Sequence, residues 1–149
     1  MADKVVPLRR TAAKPYVLDS QIGFILRQVS QRHSLIFAEL IGDEVTPTQW
    51  AALSKLAEIG PTSQNLLGRL TAMDAATIKG VVVRLLKRDL VETRPDPSDA
   101  RRLVVQLTAA GEALVARLLA NAVNITEVTL APLSADERET LATLLAKLR

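Results

Sequence analysis

Residues 94–108 read RPDPSDARRLVVQLT, two prolines and two aspartates among three arginines, immediately ahead of a short apolar alternation. Proline fixes φ for a turn and aspartate accepts hydrogen bonds from backbone two residues on, so the cluster marks a tight turn. On either side, residues 91–94 and 103–107 are β-branched or apolar at alternating positions and read as two short strands. A hairpin alone has no need of three guanidinium groups at its turn. What lies beside it decides why they are there.

Upstream, Asp74 caps a helix over residues 75–88 whose apolar stripe is Ile78, Val81, Val82, Leu85 and Leu86. The turn Thr71-Ala72-Met73 separates it from a short helix over 63–70, with Leu66, Leu67 and Leu70 expected inward. Before that, Thr46-Pro47 gives an N-cap followed by proline at the first helical position, where its missing N–H costs nothing. Trp50, Leu53, Leu56 and Ile59 then form one stripe, and Gly60-Pro61 ends it. Residues 19–42 carry a long helical pattern, and residues 1–18, interrupted by Pro7 and Pro15, read as an arm. Downstream of the hairpin, a fifth helix bears Leu114, Val115, Leu118, Leu119, Ala122 and Ile125. A capping box, Ser134 with Glu137, starts a sixth with Leu141, Leu144, Leu145 and Leu148.

The expected fold is therefore mainly α with a small β-hairpin wing: four helices, the hairpin, then two helices. Two helices joined by a tight turn and followed by a hairpin make a winged helix-turn-helix, whose second helix lies in the major groove of DNA. Residues 46–107 form that unit; residues 19–45 and 108–149 form a helical region around it. On the fourth helix the apolar stripe leaves Ala75, Ala76, Thr77, Lys79, Gly80 and Val83 pointing outward. Thr77 and Lys79 suit base edges or phosphates, and the methyls of Ala76 or Val83 suit thymine.

The hairpin cations then have a purpose. Arg101 at the tip can enter a narrow minor groove, where the negative potential is strongest. Asp99, two residues earlier, can pair with its guanidinium and orient it, while Pro97 stiffens the turn. Arg94, Arg102 and the cations of the N-terminal arm add phosphate contacts, and Arg84 is a further expected DNA-binding residue. Six cations stand against four acids between Arg84 and Arg102. The bland alternative is a solvated surface whose charges only keep the chain soluble.

Composition excludes other classes. The 149 residues are 48% apolar, enough for one domain with a sizeable core. No cysteine is present, which removes thiol nucleophiles, disulfides and cysteine metal clusters and fits a reducing, cytoplasmic setting. His33 is the only histidine, and no GxSxG, HExxH, Walker or GxGxxG pattern occurs. Neither an enzyme, a metal site nor a bound cofactor is expected. The N-terminal residues lack the apolar core of a signal peptide, and no continuous apolar run reaches bilayer length. No membrane partner is expected.

The segments TPTQWAALSKLAEIG and DAATIKGVVVRLLKRDLVETRPDPSDARRLVVQLTAAG resemble the MarR family of bacterial winged-helix regulators. The likeness spans residues 19–148, and the wing is its most specific part. It implies a homodimer held by the first, fifth and sixth helices, acting as a repressor on a palindromic operator. It also places the wing's functional pair on Asp99 and Arg101. Two positions depart from the family pattern: Ala100 replaces a basic residue, and Asp89 replaces the glycine after the recognition helix.

Residues 16–37, YVLDSQIGFILRQVSQRHSLIF, resemble the first helix of family members that control aromatic-acid catabolism. By that likeness Arg27, Arg32 and His33 meet the carboxylate or phosphate of an effector, an aromatic acid or its coenzyme A thioester. Phe24, Phe37 and Trp50 line its apolar pocket between the first, second and fifth helices. The plainer alternative makes Phe37 and Trp50 core residues, and Arg32 and His33 surface or dimer contacts. A ligand-independent DNA-binding or protein-interaction module is the second functional reading.

Overall fold

The computed structural model describes residues 14–149, so most of the expected N-terminal arm lies outside the described residues. A single 3₁₀ turn, Leu18–Ser20, leads into α1 (Ile22–Ile41), α2 (Pro47–Ile59), α3 (Gln64–Leu70) and α4 (Ala75–Lys87). The hairpin β1 (Val91–Asp96) and β2 (Asp99–Leu107) follows, then α5 (Ala109–Leu130) and α6 (Ala135–Ala146). The element order is the one the sequence implies, and the architecture is a winged helix-turn-helix flanked by helices.

Capping fixes most helix starts. Thr46 and Gln49 form a complete capping box on α2, and Ser134 and Glu137 form another on α6. Ser63, Asp74 and Thr108 each accept from the third backbone N–H of α3, α4 and α5. The first helix starts later than its apolar pattern, at Ile22, because Leu18–Ser20 is spent in the tighter turn.

The core lies where α2, α4, the hairpin base and the first half of α5 meet, with the C-terminal end of α1. Ala52, Leu53, Leu67, Val81 and Leu85 have no exposed surface at all. On α3 only Leu67 of the three expected inward leucines is buried; Leu66 and Leu70 are exposed, because a two-turn helix laid across its partner covers one ridge. Ile59 likewise faces outward, at the last residue of α2. The crossing of α3 on α4 is close: a Cβ at Gly68 would sit 3.0 Å from Ile78 Cγ2 and 3.2 Å from the Met73 carbonyl oxygen. Between these helices Ala72 adopts a left-handed conformation with φ of 54°.

Both strands run further than their apolar residues suggest. Val91 pairs with Leu107 and Arg94 with Val104, and the register slips at Pro95/Asp96 before the turn. Thr62 forms an isolated bridge to Val105, which ties the wing's base to the α2–α3 connection.

The junction after α4 is tight. Asp89 takes the left-handed conformation, φ 54°, that the family pattern assigns to glycine. Its amide and that of Leu90 turn back onto the carbonyls of Leu86 and Leu85 at 3.0 and 3.1 Å. The Leu90 carbonyl then meets the start of α5: a Cβ at Gly111 would lie 2.0 Å from its oxygen. Glycine is required there by space alone.

Helix α5 has the length and composition to cross a bilayer. It is amphipathic instead, with Leu114, Val115, Leu118 and Ile125 buried in the core. Helix α6 buries no residue, and α1 buries only Ile36, Phe37 and Ile41.

Candidate nucleic-acid interface and effector surface

Recognition chemistry on α4 begins with its cap. Asp74 accepts the Thr77 amide at 2.7 Å, and this bond holds the Asp74 carboxyl below the usual carboxylate range. Ala75, Ala76, Thr77, Lys79, Val83 and Arg84 are all exposed, and Gly80 is half-buried. The Arg84 guanidinium lies over Gly80, with Nη1 3.3 Å from where a Cβ would stand. The missing side chain makes room for a cation on the outward face.

The wing turn is built as the sequence suggests. The Asp96 carboxylate accepts the Ser98 amide and hydroxyl at 2.8 and 2.7 Å, which lowers its pKa and closes the turn around Pro97. Asp99 grips Arg101 at two points, from Nε to Oδ1 at 3.1 Å and from Nη2 to Oδ2 at 3.4 Å. It also accepts the Arg101 amide, and Arg102 Nε stands 3.7 Å from its second oxygen. The Arg101 side-chain bonds, then its amide, hold the Asp99 carboxyl low. Arg101 is nevertheless 91% exposed, an oriented cation presented to solvent. Arg94 pairs with Glu92 at 2.7 Å, and Glu92 also accepts from Gln106.

Between α3 and the wing lies a polar cleft of about 500 Å³ lined by Ser63, Gln64, Asn65, Arg69, Arg102 and Leu103. Its α3 side was not foreseen from the sequence. Arg69 was the available signal: a cation on the first helix of a helix-turn-helix pair, the helix that crosses the phosphate backbone.

The expected effector residues are not gathered in one chain. Phe37 is core, 6% exposed, and Trp50 is half-buried against the same cluster. Phe24 is half-buried, but it precedes Phe37 by thirteen helical positions, about 20 Å along the axis. Arg27 lines an open depression of about 550 Å³ with Ser30, Gln31, Ser34 and Leu35. Arg32 donates to the carbonyls of Thr129 and Val128 at 2.6 and 3.0 Å, and His33 Nδ1 is 2.9 Å from Thr129 Oγ1. The Arg32 guanidinium on carbonyls at the end of α5 complements the helix dipole, and the two side chains together hold α1 against α5.

A capped recognition helix with a small-residue outward face, beside a hairpin that displays an oriented arginine, defines a winged-helix DNA-binding regulator. The MarR family model matches residues 44–102. The HTH-type transcriptional repressor NicR of Pseudomonas putida is 41% identical over 90% of this chain and 85% of its own length. A probable transcriptional regulator from Pseudomonas aeruginosa superposes with a TM-score of 0.86 at 59% identity, covering 89% of this chain and 100% of that one. BpsR of Bordetella bronchiseptica, whose DNA binding is regulated by 6-hydroxynicotinic acid, superposes with a TM-score of 0.86 at 37% identity, covering 90% and 96%. The chain belongs to the MarR family of transcriptional regulators.

Proposed function

We propose that this MarR-type regulator is a homodimeric repressor, seated on a two-fold symmetric operator and released by a small aromatic acid. The Asp99-held Arg101 beside the exposed leading face of α4 carries the DNA part of this reading. Residues 46–107 read the operator, through Ala75, Ala76, Thr77, Lys79, Gly80, Val83 and Arg84 in the major groove. Arg101 and Arg102, with Asp99 orienting them, serve the minor groove and backbone. The α3 side of the polar cleft, above all Arg69, adds a phosphate contact.

Dimerisation is supported by apolar surface. Ile22, Val29, Leu119, Val123 and Leu144 on α1, α5 and α6, with Leu148 just past the end of α6, are each more than half exposed, more than a lone subunit of this size tolerates. Two recognition helices then meet successive major grooves about 34 Å apart.

A free aromatic acid is favoured over its thioester because BpsR, so similar over its length, responds to a hydroxylated pyridine carboxylic acid. With Arg32 and His33 engaged on α5, Arg27 is the cation left to meet a carboxylate, at the depression on α1. The partner's helices would complete that depression into a pocket. An effector that binds better to a dimer with misplaced recognition helices lowers operator affinity by that preference.

The test is a titration against DNA from upstream of the gene, with and without hydroxynicotinic, hydroxybenzoic and hydroxycinnamic acids and their coenzyme A thioesters. Tight, salt-sensitive binding relieved by one acid is expected. Binding that none relieves would leave a ligand-independent DNA-binding module, and no binding at low salt would leave a protein-interaction module.

A further inference from the structure

The end of the recognition helix and the fifth helix are joined at two separate places. The first is the Gly111 contact, where the α5 backbone rests on the Leu90 carbonyl with no space for a methyl group. The second runs through side chains. Arg117 gives two bonds to the Glu44 carboxylate in the α1–α2 loop, at 2.7 and 2.5 Å. One turn further along α5, Asn121 donates to the Leu40 carbonyl at 2.9 Å. A single face of α5 therefore holds both the last turn of α1 and the loop after it.

From that loop the path reaches α4. The buried Gln49 side-chain oxygen accepts the Thr46 amide at 3.1 Å and Arg88 Nη1 at 3.4 Å. Arg88 is the C-cap of α4. The Glu44 carboxyl is held low first by its bonds from Arg117 and, to the smallest extent, by the field of Arg88.

Gly111 and Arg117 are six residues apart, about 9 Å along the helix axis. A close backbone contact and an ion pair at that separation act as a pivot and an arm, and two points fix a direction that one point leaves free.

We infer that Arg117, Glu44 and Arg88 are positioning residues that set the direction of the recognition helix relative to α5. None of the three is placed at the bases. Their effect on DNA binding runs through where α4 points, which rests on the reading that α4 enters the major groove.

Electrostatics gives the inference a distinctive test. Removing an anion from a DNA-binding protein strengthens attraction to the polyanion. Glu44→Gln would therefore tighten operator binding if Glu44 were only a surface charge. Positioning predicts the opposite: operator affinity falls about threefold to tenfold, while binding to unrelated duplex at the same salt holds or rises, and the exchanged pair Glu44→Arg with Arg117→Glu recovers most of the loss. Operator affinity that is unchanged or higher in Glu44→Gln overturns the inference, as does an exchanged pair that folds and dimerises but binds no better than the single variant.

Amide exchange at residues 85–90 in the DNA-free protein provides a second readout. Faster exchange in Glu44→Gln, slowed again in the exchanged pair, is expected. Should the unaltered protein prefer no operator, the operator reading fails, and the exchange result alone decides the inference: identical rates in all three proteins would overturn it.

Discussion

The winged half of this chain and its helical half use apolar residues in opposite ways. In α2, α4 and the hairpin base, leucines and valines close on one another, and Leu53, Val81 and Leu85 have no exposed surface. In α6 the leucines recur with equal regularity, yet none is buried. The same residue type at the same spacing is thus core in one place and, among the described residues, exposed surface in the other. Periodicity reports that a face is apolar; it does not report which chain covers it. The winged half is complete in a single chain, and in the dimer proposed above the helical half is one side of an interface.

The largest expected effect breaks that second statement. Leu144→Asp places a charge on the α6 face, where Leu144 is 52% exposed. Sedimentation should show monomers, with operator affinity reduced about a hundredfold or more as the two half-sites lose their linkage. A dimer with normal affinity would show that α6 is free surface.

Next is the seam between the halves. Gly111→Ala drives a methyl group into the Leu90 carbonyl and should cost about 2 to 3 kcal/mol by urea unfolding, monitored at Trp50. Within the winged half, Arg101→Ala should lower operator affinity by about 1 to 3 kcal/mol, with the melting temperature unchanged. Near-normal binding would remove the wing from the interface. Lys79→Ala should either alter base preference or lower the salt slope of binding by about one, read from titrations at several salt concentrations.

The smallest effect concerns the cap of α4. Because the Asp74 carboxyl titrates below its usual range, its stabilising contribution is complete above the unfolded value, about 4, and is lost as pH falls through the lower folded value. Asp74→Asn keeps a side-chain acceptor without that proton linkage. Its stability should fall less steeply than that of the unaltered protein between pH 4 and acid, by circular dichroism.

Much of the winged half was legible because its signals are local. Thr46 and Asp74 each mark a helix start by accepting from the backbone three residues on, and the RPDPSD turn needs only its own residues. The Asp99–Arg101 pair was legible for the same reason, being two positions apart.

What the sequence concealed depends on how elements cross. Leu66 and Leu70 look inward by spacing, but α3 is too short to cover them. Phe24 and Phe37 share a helix and an aromatic character, yet the length of α1 keeps them apart. The Arg32 and His33 contacts reach residues 96 or 97 positions away. Arg117 and Glu44 are 73 apart. No reading along the chain brings such partners together.

If the proposed dimer forms through it, the exposed apolar face of α6 also has a genetic consequence. In a cell holding two alleles, protomers that meet through such a face are shuffled at random. A copy with a ruined recognition helix but an intact α6 would enter mixed pairs and spoil sound subunits, so the lesion would be dominant. A copy spoiled at α6 itself would be excluded from every pair, and that lesion would be recessive.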